Sequence, residues 1–137
     1  MKERFGERAA ERYLAEASAD LRMVLTFATK KDAWVDFALF VEATELADKL
    51  FGRGDLALAW DMGRFGAEHN AGVWRSLVMR LLRPQTIIGI GAGLWSHHYD
   101  SGRLVMRASP GAKSSLQLQI ADFAAPHRAH CLSVAGW

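Results

Sequence analysis

The sequence predicts an α+β fold, with an N-terminal helical half packed on a small antiparallel sheet and a final helix at the C-terminus. Hydrophobic residues recur at helical spacing through the first half of the chain. A strictly alternating segment, Leu116–Ile120, then indicates a half-buried strand, and apolar periodicity returns between His127 and Trp137. Helices followed by strands are typical of this class. We expect a charged N-terminal segment and helix in residues 1–30 and a single α+β domain in residues 31–137.

Two helices are predicted before residue 52. The first follows a polar start within residues 2–27 and has apolar positions at Tyr13, Leu14, Leu21, Val24 and Leu25. The second runs from about Trp34 to Phe51, with Asp32 able to cap its N-terminus. Its acidic residues predict a solvated face and comprise Asp36, Glu42, Glu45 and Asp48.

The strongest helix-entry signal lies between Leu50 and Asn70. Gly52 ends the preceding helix, and Asp55 can accept hydrogen bonds from the first turn of the next one. One face of that helix is apolar and carries Leu58, Met62, Phe65 and His69. A second stripe consists of small residues that let another backbone approach closely, namely Ala59, Gly63, Gly66 and Ala67.

The sequence of the second half of the chain predicts short helices and strands separated by turns. A short helix, Val73–Leu82, ends ahead of Pro84, and a glycine-containing helix follows at Thr86–Leu94. This segment lacks the glycine spacing and the lysine of a phosphate-binding loop. Strands are expected at Trp95–Tyr99, Arg103–Arg107 and Leu116–Ile120, with a turn at Asp100–Gly102.

Composition excludes several classes of function. The 137 residues carry a net charge of only +2, without the dense basic stripe of a nucleic-acid-binding protein. The charged N-terminus does not resemble a signal peptide, and no apolar run has membrane-spanning length. The one cysteine fits a reducing compartment. We therefore expect a cytoplasmic protein that binds neither nucleic acid nor membrane.

Several segments between about Trp34 and Trp137 occur in an order typical of a known family, namely Gly52–Asp55, Gly63–Ala67, Pro84, Trp95–Arg103 and Pro126–Trp137. In these segments the chain resembles an uncharacterised paralogous family of myxobacterial and related bacterial proteins. That family is similar in turn to vinyl-reductase-type ligand-binding domains, haem-nitric-oxide-binding sensors and Golgi-transport tethering subunits. The resemblance implies an α+β fold used for sensing or assembly, often as a dimer. Those relatives continue past Cys131–Trp137 with more helix and strand. This departure argues against a closed ligand pocket and would require a neighbouring chain to complete the sheet.

A haem site is one alternative that the resemblance implies. Tyr99, Ser101 and Arg103 match the Tyr-x-Ser-x-Arg pattern with which haem-nitric-oxide-binding domains hold haem propionates. His69 precedes this pattern at a separation similar to that of their proximal histidine. The spacing from His69 to Pro84 departs from that family.

A metal site is a second alternative. On a helix, His127, His130 and Cys131 lie at positions i, i+3 and i+4 and can project from one side. Histidine and thiolate suit zinc, and His97 or His98 can supply a fourth ligand. A free cysteine is also commonly a small core residue, so our main expectation is a chain without a cofactor, with haem and zinc as alternatives.

Aromatic residues are the candidates for an interface or an apolar pocket: Trp60, Phe65, Trp74, Trp95 and Trp137. Trp137 is the one that we most expect to meet a partner. The leading hypothesis is a non-catalytic sensing or protein-interaction module that forms a homodimer, with room for another protein partner or a small apolar ligand. A haem or metal sensor and a small enzyme are the alternatives.

Overall fold

The structure, a computed structural model, describes residues 5–27, 33–70, 86, 92–93, 95–108 and 116–137. Its elements are the helices α1 (Glu7–Glu16), α2 (Ala19–Thr26), α3 (Phe37–Phe51) and α4 (Ala57–Asn70), the strands β1 (Arg103–Ala108) and β2 (Leu116–Ala121), and the helix α5 (Arg128–Gly136). The α+β class is confirmed, as are an antiparallel sheet and a C-terminal helix. None of the described helices combines the length and hydrophobicity needed to cross a membrane. The predicted helix Val73–Leu82 lies outside the described residues, and so does most of Thr86–Leu94.

The chain divides into two compact units. Met1–Ala67 and His127–Trp137 form a helical unit, and Glu68–Pro126 form a unit that contains the sheet. The C-terminal helix therefore belongs with the N-terminal helices rather than with the strands that precede it. The predicted division of the chain near residue 30 stays a prediction.

The first predicted helix is two helices, because Ser18 caps a new one. Ala17 is extended, and the Ser18 Oγ accepts a hydrogen bond from the Leu21 N–H at 3.1 Å. Glu42 of α3 holds this junction: its two carboxylate oxygens accept from the Ser18 N–H and Oγ, each at 2.9 Å. The break thus fixes both α1 and α2 against α3.

The core of the helical unit is built around Tyr13, Ala47 and Leu58, of which none is more than 7% exposed. The Tyr13 hydroxyl donates to the carbonyl of Ala43 at 2.7 Å, so the polar end of this side chain is satisfied inside the core. Burial, with a smaller contribution from the Glu42 charge, raises the pKa of Tyr13 to about 12. The predicted apolar face of α4 is confirmed at Leu58, which is buried in this core.

Asp48 corrects the prediction of a solvated acidic face on α3. Its side chain is 1% exposed, and its two oxygens accept from the Leu56 N–H at 2.8 Å and the Leu58 N–H at 3.3 Å. The first backbone N–H groups of a helix have no partner within it, so the carboxylate of one helix supplies the cap of the next. Asp55 also contributes as predicted, accepting from the Ala57 N–H at 2.9 Å.

The cap of α3 also differs from the prediction. Asp36, at the position directly before Phe37, accepts from the Ala38 N–H at 2.8 Å. The expected cap, Asp32, lies outside the described residues. The helix begins later than expected, and Trp34 and Val35 lie before it, outside any helix or strand.

The small-residue stripe of α4 is where α5 comes closest. A Cβ atom added at Gly63 would collide with the carbonyl oxygen of Ser133, and one added at Gly136 would collide with the carbonyl oxygen of Trp60. Both contacts are between a glycine and the backbone of the facing helix. The prediction that small residues admit a second backbone is therefore confirmed at Gly63.

The second unit contains a two-stranded antiparallel sheet in which Arg103 is opposite Ala121 and Ala108 is opposite Leu116. The strand predicted at Trp95–Tyr99 is wrong: residues 95–98 are helical, and the Tyr99 N–H donates to the Trp95 carbonyl at 2.9 Å. This turn stacks the two rings, with centroids 4.3 Å apart. Leu118, predicted to face a half-buried side, is 44% exposed.

Replacing Asp48 with alanine should destabilise the helical unit more than removal of an ordinary cap. The N–H groups of Leu56 and Leu58 would lose a carboxylate acceptor that is itself buried, which costs roughly 3 kcal/mol, whereas Asp36→Ala should cost about 1 kcal/mol. Urea denaturation followed by circular dichroism measures both. Equal costs for the two variants would contradict the role assigned to Asp48.

Gly63→Ala and Gly66→Ala form a matched pair within α4. The first adds a methyl group against the Ser133 backbone and should cost roughly 2 kcal/mol of stability. The second meets no atom within 4 Å, so the better helix propensity of alanine should stabilise the protein by about 0.5–1 kcal/mol. Thermal melts of the two variants beside the wild type test the opposite signs, and destabilisation by both would count against the close crossing of α4 and α5.

Candidate interaction surface and predicted ligand sites

Tyr99, the first member of the predicted haem-binding pattern, belongs to an aromatic cluster. Its ring stacks on Trp95 and meets the edge of Phe123, with ring centroids 5.7 Å apart. Burial raises the pKa of Tyr99, so the phenol stays protonated at neutral pH. Trp95 is 6% exposed, and its indole N–H donates to the Ser101 carbonyl at 3.0 Å.

The other two residues of the haem-binding pattern follow Tyr99 in the chain. Ser101 lies in the turn before β1, and Arg103 is the first residue of β1. The Arg103 guanidinium is 3.0 Å from the carboxylate of Asp122, and both side chains are about 70% exposed. Such an exposed ion pair contributes at most about 1 kcal/mol to the stability of the fold. It leaves the guanidinium accessible to an anion. His69 lies near the end of α4 and is exposed. The haem site stays a prediction.

His127, the first predicted metal ligand, caps the N-terminus of α5. Its Nδ1 accepts from the Ala129 N–H at 3.2 Å, and its Nε2 lies 3.4 Å from a carboxylate oxygen of Glu45. Both ring nitrogens therefore already have contacts within the helical unit.

The other two predicted ligands lie in different environments. His130 is fully buried, and its ring meets the rings of Phe37 and Phe40 edge-on, with centroids 5.1 and 5.9 Å away. Burial lowers the pKa of His130, and the charge of His127 lowers it further. Cys131 is exposed.

The structure does not bring the predicted zinc ligands together within the part of the chain that it describes. There, no group of three or more His, Cys, Asp or Glu side chains has an arrangement that could hold a metal ion. His97 and His98 are exposed residues of the helical turn in the other unit. Zinc stays a prediction.

The residues predicted to form an interface differ in how much of their surface is exposed. Trp60 is 41% exposed and Trp137 is 48% exposed, whereas Trp95 is buried in the aromatic cluster. Phe65 is half-buried, and Trp74 lies outside the described residues. The guanidinium of Arg64 lies over the Trp60 ring, 5.5 Å from its centroid.

Sequence reasoning missed a second set of exposed apolar residues. Between 41% and 78% of the residue surface is exposed at Met23, Leu25, Phe27, Trp34 and Val35. Leu25 was expected among the apolar positions of a single long helix. Because Ser18 restarts the helix, α2 is short and Leu21 is its one buried residue. The serine cap was the sequence signal that could have shown this.

An open groove of about 900 Å³ lies along α3 in the helical unit. Its lining mixes apolar side chains with charged ones, including Glu16, Glu42, Glu45, Lys49 and Arg53. Glu42 and Glu45 contact Ser18 and His127 respectively. Charged walls do not suit the small apolar ligand considered above, and binding of such a ligand stays a prediction.

Comparisons with family models, curated proteins and solved structures find no match to this chain. The resemblance to the myxobacterial family and its relatives therefore stays a prediction.

Proposed function

We propose that the chain is a non-catalytic protein-interaction module that self-associates through a surface formed by Trp60 and Trp137. One observation carries this proposal: two large indoles are each nearly half exposed at the point where two helices touch. Gly136 contacts the backbone of Trp60, and Trp137 is the next residue. The two side chains thus leave the backbone at neighbouring positions. Tryptophan is enriched in the centres of protein interfaces.

The chemistry of this surface also suits a protein partner. Arg64 lies over the Trp60 ring and 3.9 Å from Asp61. Aromatic residues with a neighbouring arginine are over-represented at interfaces, because both combine a large apolar area with a polar edge. Trp60 and Arg64 both lie on the α4 helix, so binding does not have to order the backbone that carries them.

The exposed area is consistent with weak association. A tryptophan buries up to about 250 Å², so two indoles 41% and 48% exposed leave roughly 200 Å² per copy in water. Burying this area on both copies gains about 10 kcal/mol at about 25 cal/mol per Å². Association itself costs about 4–15 kcal/mol. The expected dimer therefore forms at high protein concentration and needs additional contacts around the indoles.

The test is sedimentation velocity across a concentration series, with native mass spectrometry to assign the stoichiometry. Trp137→Ser and Trp60→Ser should each raise the dissociation constant at least about tenfold, because each removes apolar contact area from both copies. Trp34→Ser is the matched control, since Trp34 is 63% exposed but lies before α3. It should leave association unchanged.

Two results would contradict this proposal. A wild-type chain that stays monomeric at the highest concentration would exclude self-association. Equal weakening by Trp34→Ser and Trp137→Ser would mean that the assigned surface is wrong. Circular dichroism of each variant separates a lost contact from a lost fold.

A further inference from the structure

We propose that the outer edge of β2 pairs antiparallel with β2 of a second copy, which joins two hairpins into a four-stranded sheet. In the described residues β2 is hydrogen-bonded to one other strand, β1. Every second residue of such an edge strand directs its N–H and C=O groups away from the neighbouring strand. Within the described part of the chain, the backbone of residues 116–121 forms no hydrogen bond outside the hairpin. A row of such groups is a template for another strand.

The residues of β2 lack the features that keep edge strands apart. Natural edges are protected by charged side chains, by proline or by a bulge. The segment Leu116–Ala121 contains no charged residue and no proline. Each of its residues is directly opposite one residue of β1, so the hairpin has no bulge between these strands. Because β1 carries Arg103 and Arg107, the edge of β2 is the one suited to pair.

The side chains in the middle of β2 are exposed on both faces of the sheet. Leu118 is 44% exposed, and its neighbours Gln117 and Gln119 are exposed as well. Successive side chains of a strand point to opposite faces, so neither face is covered at these three residues. Another strand can therefore lie beside β2 without displacing a buried side chain, and it would cover part of Leu118.

The sequence of β2 fits a second copy of itself. Residues 116–120 alternate leucine or isoleucine with glutamine, and this pattern is symmetric about Leu118. A two-fold axis at Leu118 therefore places this residue opposite its own copy and Gln117 opposite Gln119. Apolar pairs then form on one face of the joined sheet and amide pairs on the other, and both kinds of pair stabilise neighbouring strands.

Pairing of two identical strands also requires that like charges do not meet. Since β2 has no charged residue, two copies approach without electrostatic repulsion between the paired side chains. Over five residues an antiparallel pair forms roughly four to six backbone hydrogen bonds. A shift of one residue would place leucine opposite glutamine, so we expect the two-fold register.

This contact is separate from the tryptophan surface proposed above. The strand β2 belongs to the unit Glu68–Pro126, whereas Trp60 and Trp137 belong to the helical unit. Strand pairing therefore goes beyond the proposed function and does not depend on it. If both contacts form, each copy binds two others through different surfaces, and assemblies larger than a dimer follow.

Charge substitutions test strand pairing in a Trp137→Ser background, in which the tryptophan surface is weakened. The lysine pair, Gln117→Lys with Gln119→Lys, places like charges opposite each other and should raise the dissociation constant at least about tenfold in sedimentation velocity. The mixed pair, Gln117→Lys with Gln119→Glu, places opposite charges together and should lower it. The control pair, Ala15→Lys with Ala19→Lys, adds the same charge at exposed positions of α1 and α2 and should leave it unchanged.

Cysteine crosslinking tests the register in a Cys131→Ser chain. Leu118→Cys should give a disulfide-linked dimer on oxidation with copper phenanthroline, because directly opposite residues of paired strands lie within disulfide reach. Gln117→Cys alone should not crosslink, since position 117 is opposite position 119. A mixture of Gln117→Cys and Gln119→Cys chains should form the heterodimer, which mass spectrometry identifies.

Four results would overturn strand pairing. They are a Trp137→Ser chain that stays monomeric at the highest concentration, equal weakening by the lysine pair and the control pair, weakening by the mixed pair, and crosslinking of Gln117→Cys as efficient as that of Leu118→Cys. Failure of the tryptophan surface gives a different result, because Trp137→Ser would then leave association unchanged while the lysine pair abolishes it. Circular dichroism checks the fold of each variant, and Gln117→Glu with Gln119→Glu replaces a lysine pair that fails to fold.

Discussion

The buried carboxylate of Asp48 is the contact on which the helical unit depends, because it joins the end of one helix to the beginning of the next. Its oxygens bind the N–H groups of Leu56 and Leu58, so the direction in which α4 leaves the turn is set from within α3. That direction positions Gly63 and Trp60, and these two residues meet α5. Asp48 thus contributes to the position at which α4 meets α5, beside the direct contacts that α5 makes with α3. Burial of an ion is tolerated here because both of its oxygens are hydrogen-bonded to the unpaired N–H groups of a helix N-terminus.

The sequence predicted features that depend on local pattern. The α+β class, the strands near Arg103 and Leu116, and the close approach at Gly63 follow from periodicity and from the small size of glycine. The buried Asp48 was not predictable in the same way. Its position in the helical pattern is that of a solvated residue, and its partners lie eight and ten residues later, across a turn whose geometry depends on the positive φ of Leu56. The strand expected at Trp95–Tyr99 failed because aromatic stacking at i, i+4 favoured a helical turn.

Several residues selected for ligand chemistry have structural roles in the described part of the chain. His127 caps a helix, His130 packs among phenylalanines, and Tyr99 stacks on Trp95. A sequence reveals which side chains can bind a metal or a propionate, but their orientation depends on contacts between elements far apart in the chain. For His130 the partners are Phe37 and Phe40, about ninety residues earlier. Their spacing of three residues on an apolar helix face was visible in the sequence, whereas their contact with a histidine was not.

At the crossing of α4 and α5, some positions require a particular residue and others contribute only backbone atoms. Gly63 and Gly136 each lie against main-chain atoms of the opposite helix, and those atoms belong to Ser133 and Trp60. Every residue type supplies the same carbonyl group, so the crossing itself does not require serine or tryptophan at the facing positions. We expect glycine to be conserved at positions 63 and 136, because a larger residue would collide with the facing backbone. Positions 60 and 133 can vary unless their side chains have another role. Trp60 is exposed, and the crossing does not require its side chain. We therefore expect tryptophan to be retained at position 60 only if the side chain binds a partner.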